Sequence, residues 1–320
     1  MNKKQILGQY FSTSNVFNID PLKFWTDTIP HWDHRKILEP FAGGCDILNY
    51  FPNHEFLCYD IDPQMKQIRY RDSIKDFPKG PDVCITNPPY LAKNSITRKG
   101  VDVELKYVDL YLDALEQCLE HCKWVAAIIP STFIGLSQFK GRCVAIDKID
   151  RVAFSDTKNP VCVAYFTQRE TPTLLTYVNG RRVYMNGHNT PKNVDMDIKF
   201  NVPDGNYVLT GIDSRKTNIS ISNDVENFDR KKYLKNTSRN YVLFKADNLD
   251  VDKVNESIQQ WRSETGDYFL TAFKSPVGDN EYYRKRISFN QLKWIISQNE
   301  KKAREISCIL NYEKRAGNIM

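Results

Sequence analysis

The stretch CITNPPYLAK, residues 84–93, contains an apolar run that stops at Asn87-Pro88-Pro89-Tyr90. The run predicts a buried strand over residues 83–86. Two adjacent prolines remove two backbone donors and fix two φ angles, so Asn87 and Tyr90 are held on a stiff frame where the strand ends. The alternative interpretation is an ordinary surface turn. An amide and an aromatic ring fixed at a strand end are candidates for a binding site.

Around this turn, residues 1–167 alternate strand patterns with helical ones, which is typical of a parallel sheet with crossover helices. Helices are predicted over residues 63–70 and 109–121. The predicted strands cover residues 36–39, 56–60, 83–86, 124–130, 151–154 and 161–166, the last two forming a hairpin. We therefore predict a doubly wound, Rossmann-like α/β domain over residues 1–167.

Residues 168–320 have a different pattern. Strands at 173–178 and 181–185 flank Asn179-Gly180, a two-residue hairpin signal. A further strand is predicted at 241–245 and a helix at 251–263. Another helix should begin at Ser288, because Gln291 three residues later completes a capping box. These residues predict a smaller mixed domain, whose topology the sequence does not specify.

The net charge of +6 is unevenly distributed along the chain. Residues 1–166 contain 20 basic and 20 acidic side chains, whereas residues 167–320 contain 25 and 19, so the whole excess lies in the second half. This distribution indicates that the second half binds a polyanionic partner. The alternative interpretation is that the excess is ordinary surface charge.

The eight cysteines do not predict a metal site. Only Cys118 and Cys122 lie close together, and no second pair stands at a metal-ligand spacing, so we expect free thiols and no metal. We find neither an apolar run of about 18 residues nor a signal peptide. We therefore expect a cytoplasmic protein without a membrane partner.

Acidic residues mark the ends of the first strands, where open parallel sheets bind ligands. Glu39 ends the first strand, and Gly43-Gly44 behind it permit a tight turn. Asp60 ends the second strand, where it can accept hydrogen bonds from a ribose diol, and Asp72 precedes the strand that ends in NPPY. The dinucleotide fingerprint G-x-G-x-x-G is absent after the first strand. Such a set suits a cofactor with ribose and adenine but no phosphates, and S-adenosylmethionine fits that description.

The motifs EPFAGG, YDIDP, RDS and NPPY, in this order, resemble those of the DNA adenine-N6 methyltransferases. The resemblance is to their γ group, in which the cofactor motifs come first and the target-recognition domain last. GQYFSTSNVF, residues 8–17, resembles the N-terminal cofactor motif, and the match covers roughly residues 7–166. The family often has glycine where this chain has Cys45. The resemblance implies an S-adenosylmethionine site formed by Gln9, Tyr10, Phe11, Ser12, Thr13, Glu39, Pro40, Phe41, Ala42, Gly43, Asp46, Asp60, Ile61, Asp72, Ser73 and Asn87.

The same resemblance implies catalytic roles for Asn87, Pro88, Tyr90 and Phe154. The Asn87 side-chain oxygen and the Pro88 carbonyl would hold both hydrogens of the exocyclic amine of adenine, whose lone pair is otherwise conjugated into the ring. Tyr90 and Phe154 would stack on the two faces of an adenine flipped out of the duplex. For Phe154 the alternative is a core phenylalanine on a strand. The methyl group would pass directly to nitrogen, without a metal or a covalent enzyme intermediate.

The implied partner is double-stranded DNA with a short recognition sequence, read by residues 168–320. A restriction-modification system would add a cognate restriction endonuclease as a functional partner. Phosphate contacts would come from clusters of basic residues. The alternative for each cluster is an ordinary surface exposed to solvent. These clusters are Arg181-Arg182, Arg230-Lys231-Lys232 and Arg284-Lys285-Arg286.

Three alternatives remain open from the sequence. An RNA adenine-N6 methyltransferase and a protein glutamine methyltransferase would both use the same NPPY chemistry. The third is a non-catalytic DNA-binding protein that has kept a methyltransferase fold.

Overall fold

In the computed structural model, two units are distinguished within the chain. One contains Met1–Val183 with Glu281–Tyr283, and the other Tyr184–Asn280 with Arg284–Met320. The structure describes residues 16–93, 105–154, 159–184, 194–214, 217–228, 240–276 and 283–301.

The first unit is built on a nine-stranded sheet with the order β3-β2-β1-β4-β5-β7-β6-β8-β9. Strands β1 to β5 pair in parallel, and β7 runs antiparallel between β5 and β6. The order turns between β1 and β4, as in doubly wound sheets. This is the Rossmann-like α/β fold that the sequence predicts. The strands are β1 (Ile37–Glu39), β2 (Phe56–Asp60), β3 (Arg69–Tyr70), β4 (Val83–Thr86), β5 (Trp124–Pro130), β6 (Cys143–Ile149), β7 (Val161–Phe166), β8 (Leu175–Val178) and β9 (Arg181–Val183).

Almost every residue of the central strands is buried, because both faces of the sheet are covered. Every residue of β4 and β7 is buried. Helix α1 (Ile19–Thr26) buries Trp25, whose indole Nε1 donates to the Phe166 carbonyl at 2.9 Å. Helix α2 (Leu110–His121) begins after Asp109, whose carboxylate accepts from the Tyr111 amide as an N-cap.

Two local predictions for this unit are wrong. Residues 63–70 form turns and β3 instead of a helix, because only eight residues separate β2 from β3, fewer than a helical crossover needs. Residues 151–154 contribute isolated bridge positions rather than a strand, and the antiparallel partners of β7 are β5 and β6. The sequence does not predict β6, because buried Asp147 and Lys148 interrupt its apolar pattern.

The predicted hairpin around Asn179-Gly180 is present, with φ of 50° and 81° at these residues as a type I′ turn requires. Its strands β8 and β9 belong to the first unit, because β8 pairs in parallel with β6. The large sheet therefore continues beyond residue 167, where the sequence places the boundary, to Val183.

The second unit contains a four-stranded antiparallel sheet with the order β10-β13-β11-β12. Helix α3 (Val251–Thr265) packs Val254, Ile258 and Trp261 into the hydrophobic core of the second unit. Helix α4 occupies residues 289–301, and its capping box is formed: the Ser288 amide donates to Gln291 Oε1 at 2.7 Å, and the Gln291 amide to Ser288 Oγ at 3.2 Å. The strands are β10 (Lys199–Phe200), β11 (Tyr207–Thr210), β12 (Ser220–Ser222), β13 (Tyr241–Lys245), β14 (Thr271–Pro276) and β15 (Tyr283–Arg286).

Candidate functional site

Asn87-Pro88-Pro89-Tyr90 follows β4 at the point where the strand order turns. Asn87 is half-buried, whereas Pro88 and Tyr90 are buried. The Tyr90 hydroxyl lies 2.6 Å from Asn87 Oδ1 and 2.6 Å from the Ile128 carbonyl oxygen, and its single hydrogen is shared between these two acceptors. The phenol thus orients the Asn87 amide and ties it to β5, while Asn87 as a whole stays half-buried.

The two predicted stacking residues lie side by side. The Tyr90 and Phe154 rings pack edge to face with centroids 6.4 Å apart, and both side chains are buried. Rings in direct edge-to-face contact leave no room for a base between them, and Phe154 packs as a core residue. A stacking role for Phe154 stays a prediction that requires the two rings to separate.

Glu39 ends β1 beside β4 and is 1% exposed. Its Oε1 accepts from the Thr86 hydroxyl at 2.7 Å and from the Phe41 amide at 3.2 Å. Its Oε2 is also buried and has no hydrogen-bond partner among the described residues. Burial raises the pKa of Glu39 well above its usual value, the bonds from Thr86 and Phe41 lower it, and nearby Cys45 and Asp60 raise it. A buried carboxyl oxygen without a partner marks a place where a polar or cationic ligand group would be stabilised.

The loop after β1 is tied to the end of β2. The Gly43 amide donates to Asp60 Oδ2 at 2.8 Å, and the Asp62 amide donates to Asp60 Oδ1 at 2.7 Å. Gly43 has φ of 51°, so the tight turn uses the left-handed conformation that glycine permits. Cys45 has φ of 60°, also in the left-handed region, where a glycine is usual. The Asp60 carboxylate therefore organises this loop, and any bond to a ribose would be additional.

The other expected cofactor residues surround the same strand ends. Pro40 and Ala42 are buried, Phe41 and Asp46 are half-buried, and Ile61 is exposed. Asp72 Oδ1 accepts from the Ile74 amide at 3.2 Å. Ser73 is buried, and its hydroxyl has no hydrogen-bond partner in the described part of the chain. Gln9, Tyr10, Phe11, Ser12 and Thr13 lie outside the described residues.

The same edge of the sheet also carries a cleft. Strand β6 runs parallel to β5, because both are antiparallel to β7, so their carboxyl ends share one edge. A cavity of about 400 Å³ lies there, lined by Phe17, Asn18, Ile19, Asp20, Arg151, Asn179 and Gly180. Beneath it, the Asp147 carboxylate accepts from Asn18 Nδ2 at 2.6 Å and from the Gly180 amide at 3.0 Å, and burial raises its pKa to about 6.

The structure separates the predicted basic clusters. Arg181 and Arg182 are exposed on the edge strand β9 of the first unit, although the sequence places them in the second domain. Lys285 is buried, and the Arg284 guanidinium lies 5.9 Å from the centre of the Phe273 ring. Residues 230–232 lie outside the described residues.

Among the described residues, no group of three or more His, Cys, Asp or Glu side chains is arranged to hold a metal. The seven described cysteines are buried free thiols. Within the same ranges, no helix is long and apolar enough to cross a membrane.

One residue of the site, Thr86, is missing from the sequence-based set. Its hydroxyl donates to Glu39, 47 residues earlier in the chain. A polar residue that ends an otherwise apolar strand is the only signal of this role in the sequence.

No protein-family model and no curated protein sequence matches the chain. Solved structures with similar folds include a candidate class I S-adenosylmethionine-dependent methyltransferase from Listeria monocytogenes, at 13% identity and a TM-score of 0.35, over 48% of this chain and 61% of that one. A type I restriction-modification methyltransferase subunit from Streptococcus thermophilus aligns at 13% identity and a TM-score of 0.36, over 51% and 47%. A candidate RNA methyltransferase from Pyrococcus horikoshii aligns at 15% identity and a TM-score of 0.38, over 53% and 91%. The chain thus spans less than two-thirds of the length of the first two proteins, and these TM-scores do not define its family.

Proposed function

We propose that the protein is an S-adenosylmethionine-dependent methyltransferase that modifies the N6 amine of adenine in DNA. The observation that carries the proposal is the Asn87 amide at the turning point of the strand order, next to the strand that ends in Glu39. Open α/β sheets bind their ligands at this point. The order of the EPFAGG, YDIDP and NPPY motifs supports the same activity.

The residues around β1 and β2 fit this methyl donor. S-adenosylmethionine carries an ammonium and a sulfonium charge, and Asp60 lies close enough to Glu39 to raise the pKa of the Glu39 carboxyl. Glu39 Oε2, which has no hydrogen-bond partner among the described residues, offers a buried acceptor to a cationic group. Gly43 and the half-buried Asp46 would line the loop that holds the donor.

Asn87 would hold the acceptor amine. Its Oδ1, oriented by the Tyr90 hydroxyl, and the Pro88 carbonyl would accept the two amino hydrogens, which favours a tetrahedral nitrogen with an available lone pair. When bound, S-adenosylmethionine supplies the methyl group: its sulfur keeps the electron pair of the broken C–S bond as the C–N bond forms, and the nitrogen releases one of its hydrogens to solvent as a proton. The two prolines hold both acceptors rigidly, and such positioning is the main contribution that this chain makes to the rate.

The adenine would have to leave the duplex to reach Asn87. Tyr90 and Phe154 would then separate from their edge-to-face contact and stack on the base, which offsets part of the unstacking cost by about 1–3 kcal/mol per base. The second unit, which carries most of the basic excess, would recognise the DNA. The restriction-modification relationship of one structural neighbour agrees with a cognate endonuclease as a functional partner.

The test is to incubate the full chain with S-adenosylmethionine tritiated on the methyl group and, in separate reactions, duplex DNA, RNA and protein extract. Digestion of the labelled product to monomers should give N6-methyladenine from DNA. Label in RNA adenine or in glutamine would instead establish one of the alternative substrates. Absence of label in all three would contradict the proposed activity.

A further inference from the structure

The hydrogen bond between Thr86 and Glu39 joins the two strand ends on which the proposed function rests. Thr86 is 0% exposed and is the last residue of β4, directly before Asn87. Glu39 is the last residue of β1. The bond therefore links Glu39, on the donor side of the proposed site, to the residue directly before Asn87, which would hold the acceptor amine.

The geometry distinguishes the two oxygens of Glu39. The Thr86 hydroxyl and the Phe41 amide both donate to Oε1, at 2.7 and 3.2 Å. Oε2 is left buried without a hydrogen-bond partner in the described ranges. Since a buried carboxyl oxygen without a partner is costly, a structure that directs both internal donors to one oxygen reserves the other for a ligand.

We propose that Thr86 is a positioning residue that fixes the Glu39 carboxyl so that Oε2 faces the cationic methyl donor. This inference rests on the proposed function. The competing explanation is that the bond only stabilises the sheet where β1 and β4 end.

The two explanations differ in how donor binding depends on pH. Burial raises the pKa of Glu39, and the bond from Thr86 lowers it. Without this bond the pKa rises further, so the carboxylate that attracts a cation forms only at higher pH. The other titratable groups that interact with Glu39 are Cys45, Cys58, Asp60 and Cys118.

The experiment measures S-adenosylmethionine binding by isothermal titration calorimetry, without a methyl acceptor, at several pH values from 6.5 to 8.5. Thr86→Val removes the hydroxyl at nearly constant shape and should weaken binding about 10- to 100-fold, since a hydrogen bond to a charged group is lost. The weakening should be greater at pH 6.5 than at pH 8.5. Thr86→Ser keeps the hydroxyl and should restore the dissociation constant to within about threefold of the wild type.

A matched control is Thr176→Val. Thr176 is also buried, its hydroxyl donates to the Val183 carbonyl at 2.8 Å, and its strand β8 is separated from β4 by three strands of the same sheet. This variant should bind the donor as the wild type does. If Thr86→Val does not fold, Thr86→Cys retains a weak donor and should show a smaller loss with the same pH trend.

Two results would overturn the inference in distinguishable ways. If the wild type binds the donor and Thr86→Val binds it equally at every pH, Thr86 does not position Glu39, although the proposed function stands. If the wild type itself binds no S-adenosylmethionine, the proposed function fails together with the inference.

Discussion

Asn87 is the residue on which the proposed chemistry depends most directly. Its Oδ1 lies 2.6 Å from the Tyr90 hydroxyl, and an amide oxygen can accept two hydrogen bonds. Asn87→Ala should lower the rate of methyl transfer about 100-fold or more, since one preorganised polar contact to the reacting group is lost. Binding of DNA should stay within about threefold of the wild type, whereas binding of S-adenosylmethionine is measured separately because Asn87 also belongs to the expected donor site. Single-turnover methylation assays and separate binding titrations check both expectations.

Tyr90→Phe is the control for this variant. It removes the hydroxyl that orients the amide and keeps the ring, so transfer should fall by less than in Asn87→Ala. Methyl transfer at the wild-type rate by Asn87→Ala would contradict the role of the amide.

Asp147 makes a pH-dependent contribution to stability. Burial raises its pKa in the folded state to about 6, above the ordinary value of 3.8, so the folded state binds this proton more tightly than the unfolded state does. The stabilisation that protonated Asp147 gives the folded state is therefore complete at low pH and is lost as the pH rises through about 6. The free energy of unfolding falls by at most about 3 kcal/mol over this range. Urea unfolding should show that Asp147→Asn gains free energy of unfolding relative to the wild type between pH 4.5 and 7.5. A difference that is the same at both pH values would contradict this role of the carboxyl.

At the scale of elements, helix α3 completes the edge strand β12. Asn255 Oδ1 accepts from the Ile221 amide at 2.8 Å, and its Nδ2 donates to the Ile221 carbonyl at 3.0 Å, as a neighbouring strand would. Asn255→Ala should lower the free energy of unfolding of this unit by about 1–3 kcal/mol, because both backbone groups of buried Ile221 lose their partners. Hydrogen exchange at the Ile221 amide should accelerate accordingly.

Gln260→Ala is the matched control on the same helix, since Gln260 is exposed and, within the described part of the chain, its side chain bonds to Glu264 one turn away. Its effect should stay within about 0.5 kcal/mol. If the two variants changed exchange at Ile221 equally, the side-chain bridge from α3 would not protect the strand.

The sequence predicts those elements whose signals are local. The Asn179-Gly180 hairpin and the capping box at Ser288 depend on residues within a few positions of each other, and both are present. Strand β6 is different, because the partner of its buried Asp147 is Asn18, 129 residues away. A polar residue with a distant partner looks, in the sequence, like a break in an apolar strand.

The same reasoning applies to the proposed site. Glu39, Asp60 and Asn87 are visible in the sequence because each follows an apolar strand, and the structure brings all three to one edge of the sheet. The sequence does not show that Thr86 contacts Glu39, or that Tyr90 and Phe154 are buried against each other. These contacts depend on the packing of elements that are far apart in the chain.

For the whole molecule, the basic excess predicts how affinity for nucleic acid depends on salt. Every neutralised phosphate releases condensed counterions, so four or more contacts should weaken DNA binding at least about 100-fold between 50 and 200 mM NaCl. Fluorescence anisotropy with a labelled duplex would measure this dependence.

The exposed Arg181 and Arg182 of β9 test whether the first unit contributes phosphate contacts. If both arginines contact phosphates, replacing them with alanine should reduce the slope of log Kd against log salt by about 2, since each phosphate contact contributes about 0.9. Lys23→Ala is the control, because Lys23 is exposed on α1 and already paired with Asp27 at 2.8 Å, so it should leave the slope unchanged. An unchanged slope in the double variant would make Arg181 and Arg182 solvated residues that protect a sheet edge.

If the DNA affinity of the wild type did not change with salt, a nucleic-acid partner would be contradicted altogether, because a polyanion held by basic side chains cannot bind without displacing its counterions.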